Sequence, residues 1–228
     1  MIAPRSSRPW RVLPAAAASA LLALLALLAC PAPEASALLP VAVVAVQEDW
    51  SLRINDPGPN TGSPQVSTQM AASANAPLFF LLHLNSTQVG TSRAGGLELE
   101  AWRNTTFLAA SPNPNQTTLS TPNELVTWTQ VLSRGTTKLT FSVAAASSST
   151  WGDFSYGWAS VSATSLTTTD LTLDNYTPDY SVRNSGITYG ANRVDSLTLV
   201  RVRKYYLDGS VTTDSTPRVV YTQPSGDN

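Results

Sequence analysis

Beyond Trp50 the apolar residues of this chain recur with a period of two, and no stretch sustains the period of an amphipathic helix over helical length. Trp50-Ser51-Leu52-Arg53-Ile54 alternates and stops at Asn55-Asp56-Pro57-Gly58-Pro59-Asn60, a run of turn formers. A short strand follows from Gln65 to Met70. Leu78 to Asn85 is continuously apolar and short, which predicts a strand covered on both faces. Leu97 to Trp102 alternates cleanly, so Leu97, Leu99 and Ala101 face one way while Glu98, Glu100 and Trp102 face the other. Ser111 to Asn123, rich in Pro and Asn, reads as a loop. Leu125 to Leu132 and Lys138 to Ala144 are strands joined by a connection of hairpin length containing Gly135. Another strand follows the Ser147 to Phe154 loop. Leu197 to Tyr206 is the most strand-like run, closed by Asp208-Gly209, and Arg218 to Tyr221 is the last strand. Strands at this spacing, punctuated by Gly, Pro and Asn, predict an all-β fold, an antiparallel β-sandwich of the jelly-roll kind.

The N-terminus has a different character. Arg5, Arg8 and Arg11 precede an apolar run from Ala15 to Ala29, which is the layout of a signal peptide. Pro31, Pro33 and Glu34 interrupt the run before it reaches the length of a spanning helix, about 20 residues. The expected division is therefore 1–46 as signal peptide and short apolar linker, and 47–228 as a single β-sandwich domain. Ala35-Ser36-Ala37 and Ala45 are the two candidate processing positions, placing the mature N-terminus between Cys30 and Glu48. Cys30 is the only cysteine. It follows Leu27-Leu28-Ala29, which resembles a bacterial lipobox, so a lipid anchor at Cys30 is the alternative to its loss with the signal peptide. Either way the domain has no disulfide and must be held by its core. The expected localisation is exported: secreted, periplasmic or at the cell surface.

Charge narrows the partners. Only 13% of residues are charged, the net charge is -1 and there are two lysines, so no basic patch is available for nucleic acid. Ser and Thr supply the missing polarity, which suits strands and turns.

Several phrases resemble a set of uncharacterised exported bacterial β-sandwich proteins: Glu48-Asp49-Trp50, Gly95-Gly96-Leu97, Val126-Thr127-Trp128-Thr129-Gln130, Ser149-Thr150-Trp151-Gly152, and Asn184-Ser185-Gly186 leading to Asn192-Arg193-Val194. This resemblance covers nearly all of the mature chain and brings no activity with it. The run from Trp128 through Leu139, Phe141 and Val143 to Trp151 is also similar to concanavalin-like lectin and glucanase sandwiches. That similarity implies a jelly roll and sugar binding.

Candidate chemistry is sparse. His83, the only histidine, lies inside an apolar strand and reads as a hydrogen-bonded core or edge residue. Glu98 and Glu100 share one strand face with backbones about 7 Å apart, the pairing glycosidases use, although alternating glutamates also decorate solvated strands. Asp170, Asp174, Asn175 and Asp179 offer oxygen ligands for calcium, or form a solvated acidic loop. Trp128 reads as core, and Trp102 and Tyr176 add to the aromatic content. Trp151, Tyr156 and Trp158 sit in a Ser/Gly-rich stretch and are the candidates for an exposed sugar-stacking platform. Arg201, Arg203 and Lys204 read as charge on a strand edge. Asn85, Asn104, Asn115 and Asn175 each open an N-x-S/T sequon, a by-product of the composition.

The leading expectation is an exported, non-catalytic binding or envelope/matrix protein whose ligand class is carbohydrate, with glycans or cell-envelope components as partners. A polysaccharide-active glycoside hydrolase using Glu98 and Glu100 is the second reading, and a purely structural surface protein the third.

Overall fold

A computed structural model describes residues 41–57, 64–85, 96–113, 117–155, 160–164 and 171–224. The strands are β1 (Val43–Ile54), β2 (Gln65–Ala71), β3 (Leu78–Leu84), β4 (Leu97–Arg103), β5 (Thr106–Pro112), β6 (Leu125–Arg134), β7 (Lys138–Ser147) and β8 (Ser160–Thr164), followed after helix α1 (Pro178–Asn184) by β9 (Gly186–Tyr189), β10 (Val194–Tyr206), β11 (Val211–Asp214) and β12 (Arg218–Thr222). They form two sheets. One is seven-stranded in the order β11-β10-β1-β6-β7-β8, with β12 also on β10, and the other is five-stranded in the order β5-β4-β3-β2-β9. Neighbouring strands in both sheets run antiparallel.

The inner faces follow from the alternation. Val46, Trp50, Leu52 and Ile54 of β1 point inward with Val126, Trp128 and Leu132 of β6 and Leu139, Phe141 and Val143 of β7. From the other sheet come Leu78, Phe80, Leu82 and Leu84 of β3 with Leu97, Leu99 and Ala101 of β4. Phe80 and Phe141 stack across the two layers with ring centroids 5.7 Å apart, and the Thr68 hydroxyl donates to Gln130 Oε1 at 2.8 Å. The two sheets therefore pack face to face around one core.

Several expectations need correction. β1 begins at Val43, inside the stretch assigned to the linker, and it pairs with β10 from Val43 onward. Val43 and Val46 are buried, so processing at Ala45 would cut into this strand. β3 is covered fully on one face only, its outer residues being half-buried. Ser111 and Pro112 close β5 instead of opening a loop. β10 is not an edge, because β1 lies on one side of it and β11 and β12 on the other. No described helix is long and apolar enough to cross a membrane.

Local geometry explains two of the sequons. Asn85 is buried with φ 60°, its amide donating to the Pro64 carbonyl at 2.7 Å and its Oδ1 accepting from the Leu119 amide at 3.0 Å, so it clamps two loops. Asn104 holds the positive φ of the β4–β5 turn. Gly209, at φ 84°, does the same in the β10–β11 hairpin, where a side chain would be strained.

Candidate functional site

Of the three aromatics expected to form a platform, Tyr156 and Trp158 lie outside the described residues. Trp151 belongs to the core and is 7% exposed. Its indole N–H donates to the Thr117 carbonyl at 2.6 Å, and its ring meets Phe154 edge-on at 5.6 Å. The turn that delivers it is organised by the buried Glu124 carboxylate, which accepts from the Ser148 hydroxyl, from the Thr150 amide at 2.9 Å and from the Thr150 hydroxyl at 2.6 Å. A ring held this way has little face left to stack on a ligand.

The outer face of the five-stranded sheet gathers the residues that the sequence presented separately. His83 stands opposite Glu98 on the neighbouring strand. Its Nε2 lies 3.3 Å from Glu100 Oε2, which also accepts from Trp102 Nε1 at 2.6 Å. Trp102 meets Phe107 edge-on at 5.4 Å. Phe107 is 42% exposed, whereas Glu98 and Glu100 are 3% and 8% exposed. Glu100 is thus committed to holding His83 and Trp102 in place, a positioning role first. The acids considered for calcium also have other work. Asp174 accepts from the Val43 amide at 2.7 Å and from Thr172 at 2.7 Å, and Asp179 sits in the first turn of α1, behind the N-cap Thr177. Asp170 lies outside the described residues, and among the described residues no group of three or more His, Cys, Asp or Glu is placed to hold a metal.

A concavity lies on the outer face of the seven-stranded sheet. It has a volume of about 730 Å³ and runs across β1, β6, β7 and β10 to the β11–β12 connection at Ser215 and Pro217. That size falls within the range of ligand sites, roughly 300 to 1,000 Å³. Two β-bulges shape it. Trp50 stands opposite Leu199 and Asp49 opposite Arg201, so Val200 is an extra residue in β10. Gln130 stands opposite Val143 and Thr129 opposite Ala145, so Ala144 is extra in β7. Between the bulges the outward residues are small or hydroxylated, namely Ser51, Thr127, Thr129, Ala145 and Ser147, which leaves a hollow where large side chains would have filled the sheet.

One wall of the groove is charged. Asp49 Oδ1 accepts from the Thr129 hydroxyl at 2.7 Å, Oδ2 accepts from Arg201 Nε at 2.6 Å, and Arg203 Nη2 reaches both oxygens at 3.1 and 3.3 Å. Partial burial alone would raise the Asp49 pKa. The Thr129 and Arg201 hydrogen bonds and the two guanidinium charges outweigh it, holding the carboxyl below the ordinary aspartate range. Arg201 and Arg203, read from sequence as edge charges, are therefore fixed across an interior strand pair.

The floor is anchored from beneath. Trp50 and Trp128 stack with centroids 6.1 Å apart. On the core side, Trp50 Nε1 donates to Glu48 Oε2 at 2.9 Å, as does Gln130 Nε2 at 2.6 Å, and the Tyr176 hydroxyl donates to Glu48 Oε1. The buried Ser181 hydroxyl of α1 also faces this cluster. Burial raises the Glu48 pKa above the usual glutamate value, and the surrounding donors offset this only in part. The Tyr176 hydroxyl is pushed well up, first by burial and then by the Glu48 charge.

The sequence offered one sign of this groove, the small-residue run Ala144-Ala145-Ala146-Ser147. Its partner residues on β1 and β10 come together only through register. No family model matches the chain, and no curated protein matches it either.

Proposed function

We propose that the protein is an exported binding protein and that the groove on the seven-stranded sheet is its ligand site, with carbohydrate as the ligand class. The observation that supports this reading is the lining: a ligand-sized hollow walled by Ser51, Thr127, Thr129, Ser147 and Ser215, with Val200 and Pro217 as apolar contacts. Hydroxyl side chains both donate and accept, which matches the many hydroxyls of a sugar, and small apolar surfaces match its C–H faces. β1 and β6, which form the floor, are each paired on both sides, so a peptide cannot add a strand to either of them. Tyr156 and Trp158 remain the proposed stacking aromatics, and the jelly-roll, concanavalin-like reading of the sandwich belongs to the same proposal. So does export, with the cut at Ala35-Ser36-Ala37 leaving β1 whole; an exported species that starts inside β1 would contradict it.

The test is to fill the groove. Ala145 is exposed and lines the hollow, so Ala145→Trp should leave the core intact and occupy the ligand volume. The expected result in a screen of neutral and acidic glycans is a wild-type hit whose affinity falls by at least about tenfold in the variant, with unchanged thermal stability. An equal affinity in the two proteins overturns the placement of the site.

A further inference from the structure

We infer that the groove selects an anionic carbohydrate, with Arg201 as the anchor for its acidic group. This rests on the reading of the groove as a glycan site and goes beyond it by fixing the ligand's charge.

Donors outnumber acceptors on the charged wall of the groove. Asp49 and Arg201 are the charged residues lining the groove, and Arg203 reaches Asp49 from the next outward position on β10. Two guanidinium groups therefore face one carboxylate, and the cluster keeps a net positive charge even with Asp49 ionised. Asp49 has no capacity to spare, because its two oxygens already accept from Thr129, Arg201 and Arg203. The guanidiniums have a surplus. Each carries five N–H donors in a planar fork, and Asp49 takes Nε of Arg201 and Nη2 of Arg203. Arg203 Nε is buried with no acceptor among the described residues.

The geometry gives Arg201 its role. The Asp49 contact at Nε fixes the plane of the guanidinium and leaves the Nη end for other acceptors, and the side chain is 44% exposed at the groove. A planar fork with its orientation fixed, in a cluster where two guanidiniums share one carboxylate, favours a carboxylate or sulfate oxygen pair over a neutral hydroxyl. Asp49 positions Arg201 and also repels a misplaced anion, which restricts where the acidic group can sit. The rest of the lining is neutral, so a single acidic group per binding unit matches the site better than a dense polyanion.

The experiment is calorimetric titration of the purified protein with an oligosaccharide carrying a single uronic acid, with the same oligosaccharide after reduction of its carboxyl to an alcohol, and with the reduced oligosaccharide bearing a single sulfate. The expected result is a preference of about tenfold or more for the acidic forms over the reduced one, shrinking between low salt and about 0.5 M salt as the charge interaction is screened. Arg201→Gln should bring the ratio to about one. Whether the carboxylate or the sulfate binds more tightly identifies the acidic group. Equal wild-type affinity for the acidic and reduced sugars overturns the inference while leaving the glycan site standing. An Arg201→Gln protein that keeps the full preference also overturns it. Binding of a peptide C-terminal carboxylate, with no sugar bound, contradicts both readings. Should Arg201→Gln fail to fold, the wild-type salt series decides, since a salt-independent preference contradicts the inference.

Discussion

Replacing Glu48 by alanine should cost the fold about 3 to 5 kcal/mol, because it strips a common acceptor from several buried donors at once. Trp50 Nε1, Gln130 Nε2 and the Tyr176 hydroxyl all donate to this one carboxylate in the sheet–sheet interior, and Gln130 is itself held by Thr68 from the opposite sheet. Removing the acceptor leaves these donors without water or partner and opens a cavity beneath the groove floor. Glu48→Gln should behave differently. Its carbonyl accepts from Trp50 and Gln130 and its amide donates to the Tyr176 oxygen, so of these three donors only the Tyr176 hydroxyl loses its acceptor. The pH dependence separates the two effects. Burial raises the folded-state pKa of Glu48 above the value of 4.5 that an unburied glutamate has. The folded protein therefore keeps this proton where the unfolded chain has lost it. The contribution is fully present below pH 4.5 and is lost as pH rises through the folded-state pKa. In chemical denaturation at a series of pH values, Glu48→Gln should gain on wild type as pH increases. A Glu48→Ala loss below about 1 kcal/mol would contradict the buried network.

Trp151→Ala should be comparably severe, losing about 3 to 5 kcal/mol as buried tryptophans do. The indole is packed edge-on against Phe154 and bonded to the Thr117 carbonyl, and the Glu124-centred turn presents it inward. Thermal and urea unfolding of the variant measure this directly. A variant that keeps wild-type stability but loses glycan binding would return Trp151 to the platform role that its neighbours in sequence suggested.

What could be read from sequence, and what could not, follows from where the information resides. β4, β6, β7 and β10 are legible because a half-buried strand writes a period of two into the chain, as in the alternation of Leu97, Leu99 and Ala101 with Glu98 and Glu100. β5 writes no such pattern, since it lies at the sheet edge and its residues are exposed or half-buried throughout. β9 and β11 span 4 residues each, too few to show a period. α1 has only 7 residues, yet it carried a readable start signal in Thr177-Pro178-Asp179: N-cap threonine, proline at the first turn and an acid against the helix dipole. The burial of Trp151 is not legible because a Ser/Gly-rich stretch carries no period, and the residue that ties its turn down, Glu124, lies 26 residues before Thr150. The groove was hidden for the same reason. Its bulges are properties of register, and Asp49 meets Arg201 across 152 residues of sequence.

Nuclear magnetic resonance can locate the ligand on the hollow of the seven-stranded sheet. The isotopically labelled protein would be titrated in turn with acidic and neutral oligosaccharides while its backbone amide shifts are followed. The expected result is saturable shifts centred on Asp49, Ser51, Thr127, Thr129, Ser147, Val200 and Arg201, together with those of the proposed stacking residues Tyr156 and Trp158. Shifts gathered instead at His83, Glu98, Glu100 and Trp102, or no shifts with any sugar, would contradict it, the first moving function to the five-stranded sheet and the second leaving a structural surface protein.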